Sequence, residues 1–176
     1  MKTNTFNPWI EHYNLGKVQL SQTVYPYPKI PVFHFLDEAA ERHPSDSACV
    51  YMEREITFKQ LKQYVDKLAN ALVDLGIKKG HRVVTCLPTS PQFIIADYAV
   101  QKAGAIHAPC NFYNKSDEFV NEIDEIGAEI IFCLDTQAEF IKSIIGQTKI
   151  STVIVTALND FSAHEPKMVE ISGLCN

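Results

Sequence analysis

Arg82-Val83-Val84-Thr85-Cys86-Leu87-Pro88-Thr89-Ser90-Pro91-Gln92-Phe93-Ile94-Ile95-Ala96-Asp97-Tyr98-Ala99-Val100-Gln101-Lys102-Ala103-Gly104-Ala105-Ile106-His107-Ala108-Pro109 is the stretch that decides the fold. Its first six residues form a β-branched-rich run closed by Pro88, which reads as a strand. Ser90-Pro91 then opens a helix, serine supplying a cap and proline a pre-set first turn. Phe93, Ile94, Ile95, Ala96, Tyr98, Ala99 and Val100 leave that helix apolar nearly all round, so it is expected to be buried. Gly104 ends it, and Ala105 to Pro109 is a second strand. A strand, a buried helix and another strand in direct succession are the unit of a parallel sheet.

The unit repeats downstream. Ser116 is placed to cap a helix whose face is Phe119, Val120, Ile123 and Ile126, with Asp117 and Glu118 in its first turn, where carboxylates favour the helix dipole. Gly127 stops it, and Glu129 to Leu134 is the next strand. Thr136 with Glu139 reads as a capping box opening a helix along Phe140, Ile141, Ile144 and Ile145, and Thr152 to Thr156 is the last strand. From Leu158 to Asn176 the sequence is polar and unpatterned.

Upstream, Val32, Phe33, Leu36, Ala39, Ala40 and His43 mark a helical face between Pro31 and Pro44. Ala48–Met52 and Glu55–Thr57 flank Glu53-Arg54 as a short hairpin, although no glycine stands at the turn. Phe58, Leu61, Val65, Leu68, Leu72 and Leu75 then recur at three and four residues. Thr57 and Gln60 give this helix a capping box, and Gly76 stands where a left-handed cap belongs. Residues 1–31 carry Trp9, Tyr13, Tyr25, Pro26, Tyr27, Pro28 and Pro31 without a sustained period and read as an extended arm. The predicted organisation is therefore an arm over 1–31, an α/β subdomain over 32–157 with a mostly parallel sheet and helices on both faces, and an irregular tail over 158–176.

Net charge is −5 over 176 residues, so no field draws the chain to nucleic acid or an anionic membrane. The cluster Lys78, Lys79, His81 and Arg82 reads as a solvated connection. Cys49, Cys86, Cys110, Cys133 and Cys175 are odd in number and lack C-x-x-C spacing. The first four lie in or beside apolar runs, so they are expected to be small buried hydrophobes in a reducing, cytoplasmic compartment. No signal-peptide core precedes the fold, and Asp97 interrupts the most apolar run, Phe93–Val100, which is too short to span a bilayer.

Ligands of an open parallel sheet sit at the carboxyl ends of its strands. Those edges carry Pro88-Thr89-Ser90, Pro109-Cys110-Asn111-Phe112-Tyr113 and Asp135-Thr136. Thr89, Ser90, Ser116 and Thr136 each precede a helix. They read first as N-caps and second as positions that orient an anion against free N–H groups. No strand is followed by a G-x-G-x-x-G or G-x-x-x-x-G-K-[ST] loop. The histidines His12, His34, His43, His81, His107 and His164 show no metal-ligand spacing, and Asp124-Glu125 falls on a solvated helix face.

Four strings in order resemble the adenylate-forming (AMP-binding) enzymes of the acyl-CoA synthetase, or fatty-acid–CoA ligase, type. Ile56-Thr57-Phe58-Lys59-Gln60-Leu61 resembles their (L/I)-T-(F/Y)-x-x-L. Leu75-Gly76-Ile77-Lys78-Lys79-Gly80-His81-Arg82-Val83 is similar to L-G-(V/I)-x-x-G-D-R-V, with His81 in place of Asp. Leu87-Pro88-Thr89-Ser90-Pro91-Gln92-Phe93 resembles L-P-N-S-P-(E/Q)-F. Lys102-Ala103-Gly104-Ala105, with Pro109 and Asn111, matches K-A-G-(A/G)-x-x-x-P-x-N. Pro8-Trp9 and Tyr27 to Pro31 resemble the arm of fatty-acyl-CoA synthetases. Cys110 and Phe112 depart from the usual aliphatic residue and proline.

The resemblance implies the N-terminal subdomain of the acyl-CoA synthetase fold. For the full-length enzyme it implies ATP, Mg²⁺ and CoA as cofactors and an acyl-adenylate followed by acyl-CoA as products. The partners it implies are fatty acid, ATP, CoA and the remainder of the polypeptide; it leaves a homodimer open. The family's phosphate loop and catalytic lysine have no counterpart here. The reading therefore assigns no catalytic, cofactor-binding or metal residue and expects a fragment inactive by itself. A naturally short, non-catalytic, partner-binding module is the alternative, and an independent doubly wound nucleotide-binding protein is a third reading.

Overall fold

The computed structural model describes residues 26–111 and 117–163. The chain divides into two units between Ile30 and Pro31, and every element below belongs to the second. Most of the expected arm, and the expected tail from residue 164, lie outside the described residues.

Helix α1 (Phe33–Arg42) opens as the proline placement predicts, with the Pro31 carbonyl accepting the His34 N–H at 3.0 Å. Strands β1 (Ser47–Tyr51) and β2 (Arg54–Thr57) pair antiparallel as a separate two-stranded sheet. Their turn forms without glycine: Met52 at φ 43° and Glu53 at φ 64° both enter the left-handed region, the requirement of a type I′ hairpin. For L-residues that conformation costs about 1–2 kcal/mol each. Packing of the flanking strands, with Ile56 only 1% exposed, holds the turn in place.

Helix α2 (Phe58–Asp74) has the reciprocal cap that its sequence implies. The Thr57 hydroxyl accepts from Gln60 N–H at 3.3 Å, and the Gln60 side-chain oxygen accepts from Thr57 N–H at 2.9 Å. At its other end Gly76, at φ 91°, lets the Ile77 N–H return to the Leu72 carbonyl at 3.0 Å and its own N–H to Val73 at 2.9 Å. Those two bonds satisfy carbonyls that the helix end would otherwise leave open. Leu61, Val65, Ala69 and Leu72 form the buried stripe.

The larger sheet has the order β4-β3-β5-β6 and is parallel throughout, built from β3 (Arg82–Cys86), β4 (Ile106–Pro109), β5 (Ile130–Leu134) and β6 (Thr152–Thr156). Helices α3 (Pro91–Lys102), α4 (Asp117–Ile126) and α5 (Ala138–Ile144) cross between the strands. Alternate residues of β5 enter two separate cores. Ile130, Phe132 and Leu134 join Val83, Leu87 and Ile154 on the face covered by α3 with α2. Ile131 and Cys133 join Val84, Cys86 and Val153 on the face covered by α4 and α5, through Phe119, Ile123, Ile141 and Ile144. A strand buried on both sides needs no polar alternation, which is why Ile130–Leu134 reads as one continuous apolar run. Burying a side chain such as Phe119, fully enclosed here, contributes about 1.5–3 kcal/mol.

The region after β6 differs from its polar, unpatterned reading. Leu158–Phe161 forms a 3₁₀ turn, because the Asp160 carboxylate accepts from the Thr156 hydroxyl at 2.7 Å and the Ala157 N–H at 2.8 Å. The turn drives Phe161 onto Tyr64 of α2, edge to face with centroids 5.3 Å apart, with the Arg54 guanidinium 5.6 Å from the Phe161 ring. Ala163 N–H then donates to the Met52 carbonyl at 3.2 Å, fastening the strained hairpin from outside.

Candidate functional site

The strand order places a switch point between β3 and β5. These neighbours hydrogen-bond along Val83↔Ile130 to Cys86↔Cys133, yet the helix after β3 lies on one face and the helix after β5 on the other. Helices that diverge from adjacent strands leave a crevice at the carboxyl edge, the place where open α/β sheets bind ligands.

Three of the four sequence candidates for that edge, Thr89, Ser90 and Thr136, are among the described residues. Ser90 is buried at 3% exposure, and its hydroxyl accepts from the Phe93 N–H at 3.4 Å. It is an N-cap, and its oxygen is already committed. Thr89, beside it, is exposed. Thr136 does not form the expected box with Glu139. A 3₁₀ turn, Asp135–Gln137, delays the α-helix to Ala138. The Asp135 carboxylate instead accepts the Thr136 N–H at 2.8 Å, and the Gln137 side-chain oxygen faces the Leu134 N–H at 3.5 Å. Ser116, with Phe112 and Tyr113, lies outside the described residues. From the α3 side Gln92 reaches across, its amide nitrogen donating to the Ala157 carbonyl beyond β6 at 2.7 Å.

Under α3 the edge contains a polar chain that sequence reasoning missed. Thr85 Oγ1 lies 2.7 Å from His107 Nε2, His107 Nδ1 lies 2.7 Å from Asp97 Oδ1, and Gln101 Nε2 donates to that same oxygen at 2.8 Å. In the sequence Asp97 reads only as the charge that keeps an apolar run out of a bilayer. Its partner is ten residues away and Thr85 twenty-two from His107, so only β3–β4 pairing brings the three together. Thr85 has no exposed surface, so its hydroxyl does not meet a substrate.

On the opposite face Cys86, Cys110 and Cys133 are buried as expected, whereas Cys49 is only half-buried. Burial, reinforced by the Glu122 carboxylate, pushes the Cys110 thiol up to about 12; burial, with Cys86 and Asp135 nearby, does the same to Cys133. Both are neutral thiols at physiological pH, and thiolate nucleophiles they are not. Among the described residues no three His, Cys, Asp or Glu side chains converge as a metal site. Lys78, Lys79 and Arg82 are exposed, and Asp124 and Glu125 are exposed on α4.

A second polar cluster joins α1, α2 and α3. Lys102 lies 2.7 Å from Asp37 and 2.6 Å from Asp66, and Lys62 pairs with both carboxylates. Partial burial raises the Asp66 carboxyl, but hydrogen bonds and attraction from Lys102 and Lys62 outweigh it, and the net shift is downward. Partial burial lowers the Lys102 ammonium, and Asp37 and Asp66 outweigh that, so it titrates above the ordinary lysine range.

A parallel doubly wound sheet with a carboxyl-edge switch point defines a protein of the open α/β class. Comparison with known proteins narrows it. The pattern of the family described as AMP-binding enzyme matches residues 36–172, and the chain belongs to that family. The acetyl-coenzyme A synthetase of Rhodobacter capsulatus is 37% identical over 83 residues, covering 47% of this chain and 13% of that protein. The 3-hydroxypropionyl-coenzyme A synthetase of Sulfurisphaera tokodaii is 31% identical over 109 residues, covering 58% of this chain and 16% of that protein. Among solved structures, a long-chain-fatty-acid-CoA ligase from Archaeoglobus fulgidus superposes with a TM-score of 0.70 at 22% identity, over 90% of this chain and 34% of that chain. The fold is thus the α/β fold found in acyl-CoA ligases, and the chain spans a minor share of each of these proteins. Among the described residues no helix is long and apolar enough to cross a membrane.

Proposed function

We propose that this chain is part of an ATP-dependent fatty-acid–CoA ligase of the cytoplasm, in which ATP, Mg²⁺ and CoA act on a fatty acid through an acyl-adenylate. The observation that carries the reading is the AMP-binding family match over residues 36–172. Coenzyme A synthetases stand among the relatives above 30% identity, and the fold superposes on a fatty-acid–CoA ligase. On this reading residues 1–31 form an arm, 32–157 an α/β subdomain, and 158–176 lead to the remainder of the polypeptide.

The described carboxyl edge does not fit a triphosphate by itself. Ser90 is engaged in capping, Thr89 and Thr136 are exposed, and no described cation is hydrogen-bonded into the crevice. Adenylation develops charge on phosphate oxygens that fixed donors, a cation and Mg²⁺ must hold, so these residues contribute scaffold and no chemical step. On this reading the isolated chain is expected to be inactive. The test is ATP–pyrophosphate exchange with a panel of fatty acids: the isolated chain gives none, and the natural protein that contains it gives fatty-acid-dependent exchange. Exchange by the isolated chain overturns the scaffold reading.

Exposed apolar groups at strand edges, Val50 at 70% and Ile106 at 52%, favour a second reading as a partner-binding module. Stable association of the chain with a separate polypeptide that carries a phosphate loop distinguishes it.

A further inference from the structure

We propose that His107 is held with its proton on Nδ1 and acts as a clasp, fastening edge strand β4 to both β3 and α3. The Asp97 carboxylate, fixed by the Gln101 amide at 2.8 Å, is an acceptor, so the ring nitrogen 2.7 Å away must donate. Nδ1 therefore carries a proton. Nε2 then presents its lone pair to Thr85 Oγ1 at 2.7 Å, and the threonine hydroxyl donates into it. The opposite tautomer sets a lone pair against a carboxylate. Of the ring's two neutral tautomers, this one gives every group in the chain a matched partner. Asp97 from α3 is the charged group facing the ring, Thr85 faces it from β3, and the Phe93 ring lies 5.7 Å away, centroid to centroid.

The mechanical consequence follows from the position of β4. Among the described strands it pairs with β3 and with no other, and an edge strand held on one side frays from its ends. Thr85 grips it twice. Its hydroxyl reaches His107, and its main-chain oxygen accepts the Cys110 N–H at 2.9 Å, beyond the last residue of the strand. The amino end is held differently, by the Ile106 N–H donating to the His81 carbonyl at 2.7 Å. His107 is the second residue of β4, so its ring holds the strand from within, between those two backbone bonds, and carries the hold on to α3 through Asp97. The hydroxyl–imidazole–carboxylate order is also that of a nucleophile-activating relay, but the enclosure of Thr85 makes His107 a positioning residue. This inference is independent of the fatty-acid–CoA ligase reading.

Two measurements on the chain test it. In ¹⁵N-resolved imidazole spectra of its neutral form, His107 is expected to show a protonated Nδ1 and an acceptor Nε2; an Nε2–H tautomer overturns the assignment. In hydrogen exchange, Thr85→Val is expected to raise exchange along β4, at the Ile106 and Cys110 amides alike, about tenfold, the loss of one buried hydrogen bond. Thr85→Ser restores protection, since it keeps the hydroxyl. No change at either amide, or no rescue by serine, overturns the clasp. If Thr85→Val fails to fold, the tautomer and the Thr85→Ser protection pattern decide the matter.

Discussion

The hairpin turn is the clearest place where this sequence works against its own fold. Met52 and Glu53 occupy the two central positions of the β1–β2 turn at φ 43° and 64°, and an Asn-Gly pair there relieves the conflict. Each L-residue in that region costs about 1–2 kcal/mol; asparagine tolerates it better than most, and glycine carries no such penalty. Glycine also returns roughly 0.5–1 kcal/mol of unfolded-state entropy. The net expectation for Met52→Asn/Glu53→Gly is therefore a gain of about 1 kcal/mol, or roughly 3 °C in Tm for a domain of this size. The Ala163 N–H bond to the residue 52 carbonyl is made by backbone and survives the change. Both side chains are exposed, so little packing is lost. Urea unfolding with the slope held in common measures the difference. Met52→Ala/Glu53→Ala, which keeps two Cβ atoms in the turn, is the control and should show no gain. Stability unchanged or lowered by Asn-Gly refutes the claim that this turn stores strain.

Other outcomes follow from the packing and the charges. Phe119→Ala in the α4–α5 core should cost about 3–5 kcal/mol by leaving a cavity, read as a lower urea midpoint. Lys102→Met leaves Asp37 and Asp66 to share Lys62 alone and should cost about 1 kcal/mol, screened by solvent. The pH dependence has two arms. Because the folded Asp66 carboxyl is lowered, its stabilisation is present above the ordinary value of 3.8 and disappears as pH falls through the folded value. Because the folded Lys102 ammonium is raised, its share is complete below the ordinary 10.5 and is lost as pH rises through the folded value. Unfolding free energies of wild type and Lys102→Met should therefore converge at strongly acidic pH. Alkylation mapped by mass spectrometry at pH 8 should find Cys110 and Cys133, whose thiols are pushed up to about 12, labelled only after unfolding, and the half-buried Cys49 ahead of them.

The parts of the fold that were legible in the sequence are those specified locally. The Thr57–Gln60 box, the Gly76 cap and the Ser90-Pro91 start each satisfy backbone groups within a few residues, so pattern alone fixes them. Strand order is different in kind. Nothing in Arg82–Cys86 or Ile130–Leu134 states that these strands are neighbours while β4 stands at the edge, and the switch point depends on that order. The Thr136–Glu139 reading failed because a 3₁₀ turn built on Asp135 preceded the helix, and such turns leave little trace in an apolar period. The 158–163 segment misled for a similar reason: Asp160 caps its own chain, and the one large apolar group, Phe161, is placed by that cap and by no repeat. His107, Thr85 and Asp97 are scattered along the chain and meet only in the folded sheet.

The measurement that tests the central claim most directly is substrate-dependent ATP–pyrophosphate exchange by the natural protein captured from its source cells with an antibody to this chain. A ligase of fatty acids shows exchange with fatty acids, and adding CoA releases AMP with acyl-CoA as product. Exchange driven by amino acids, with no response to fatty acid or CoA, contradicts the account.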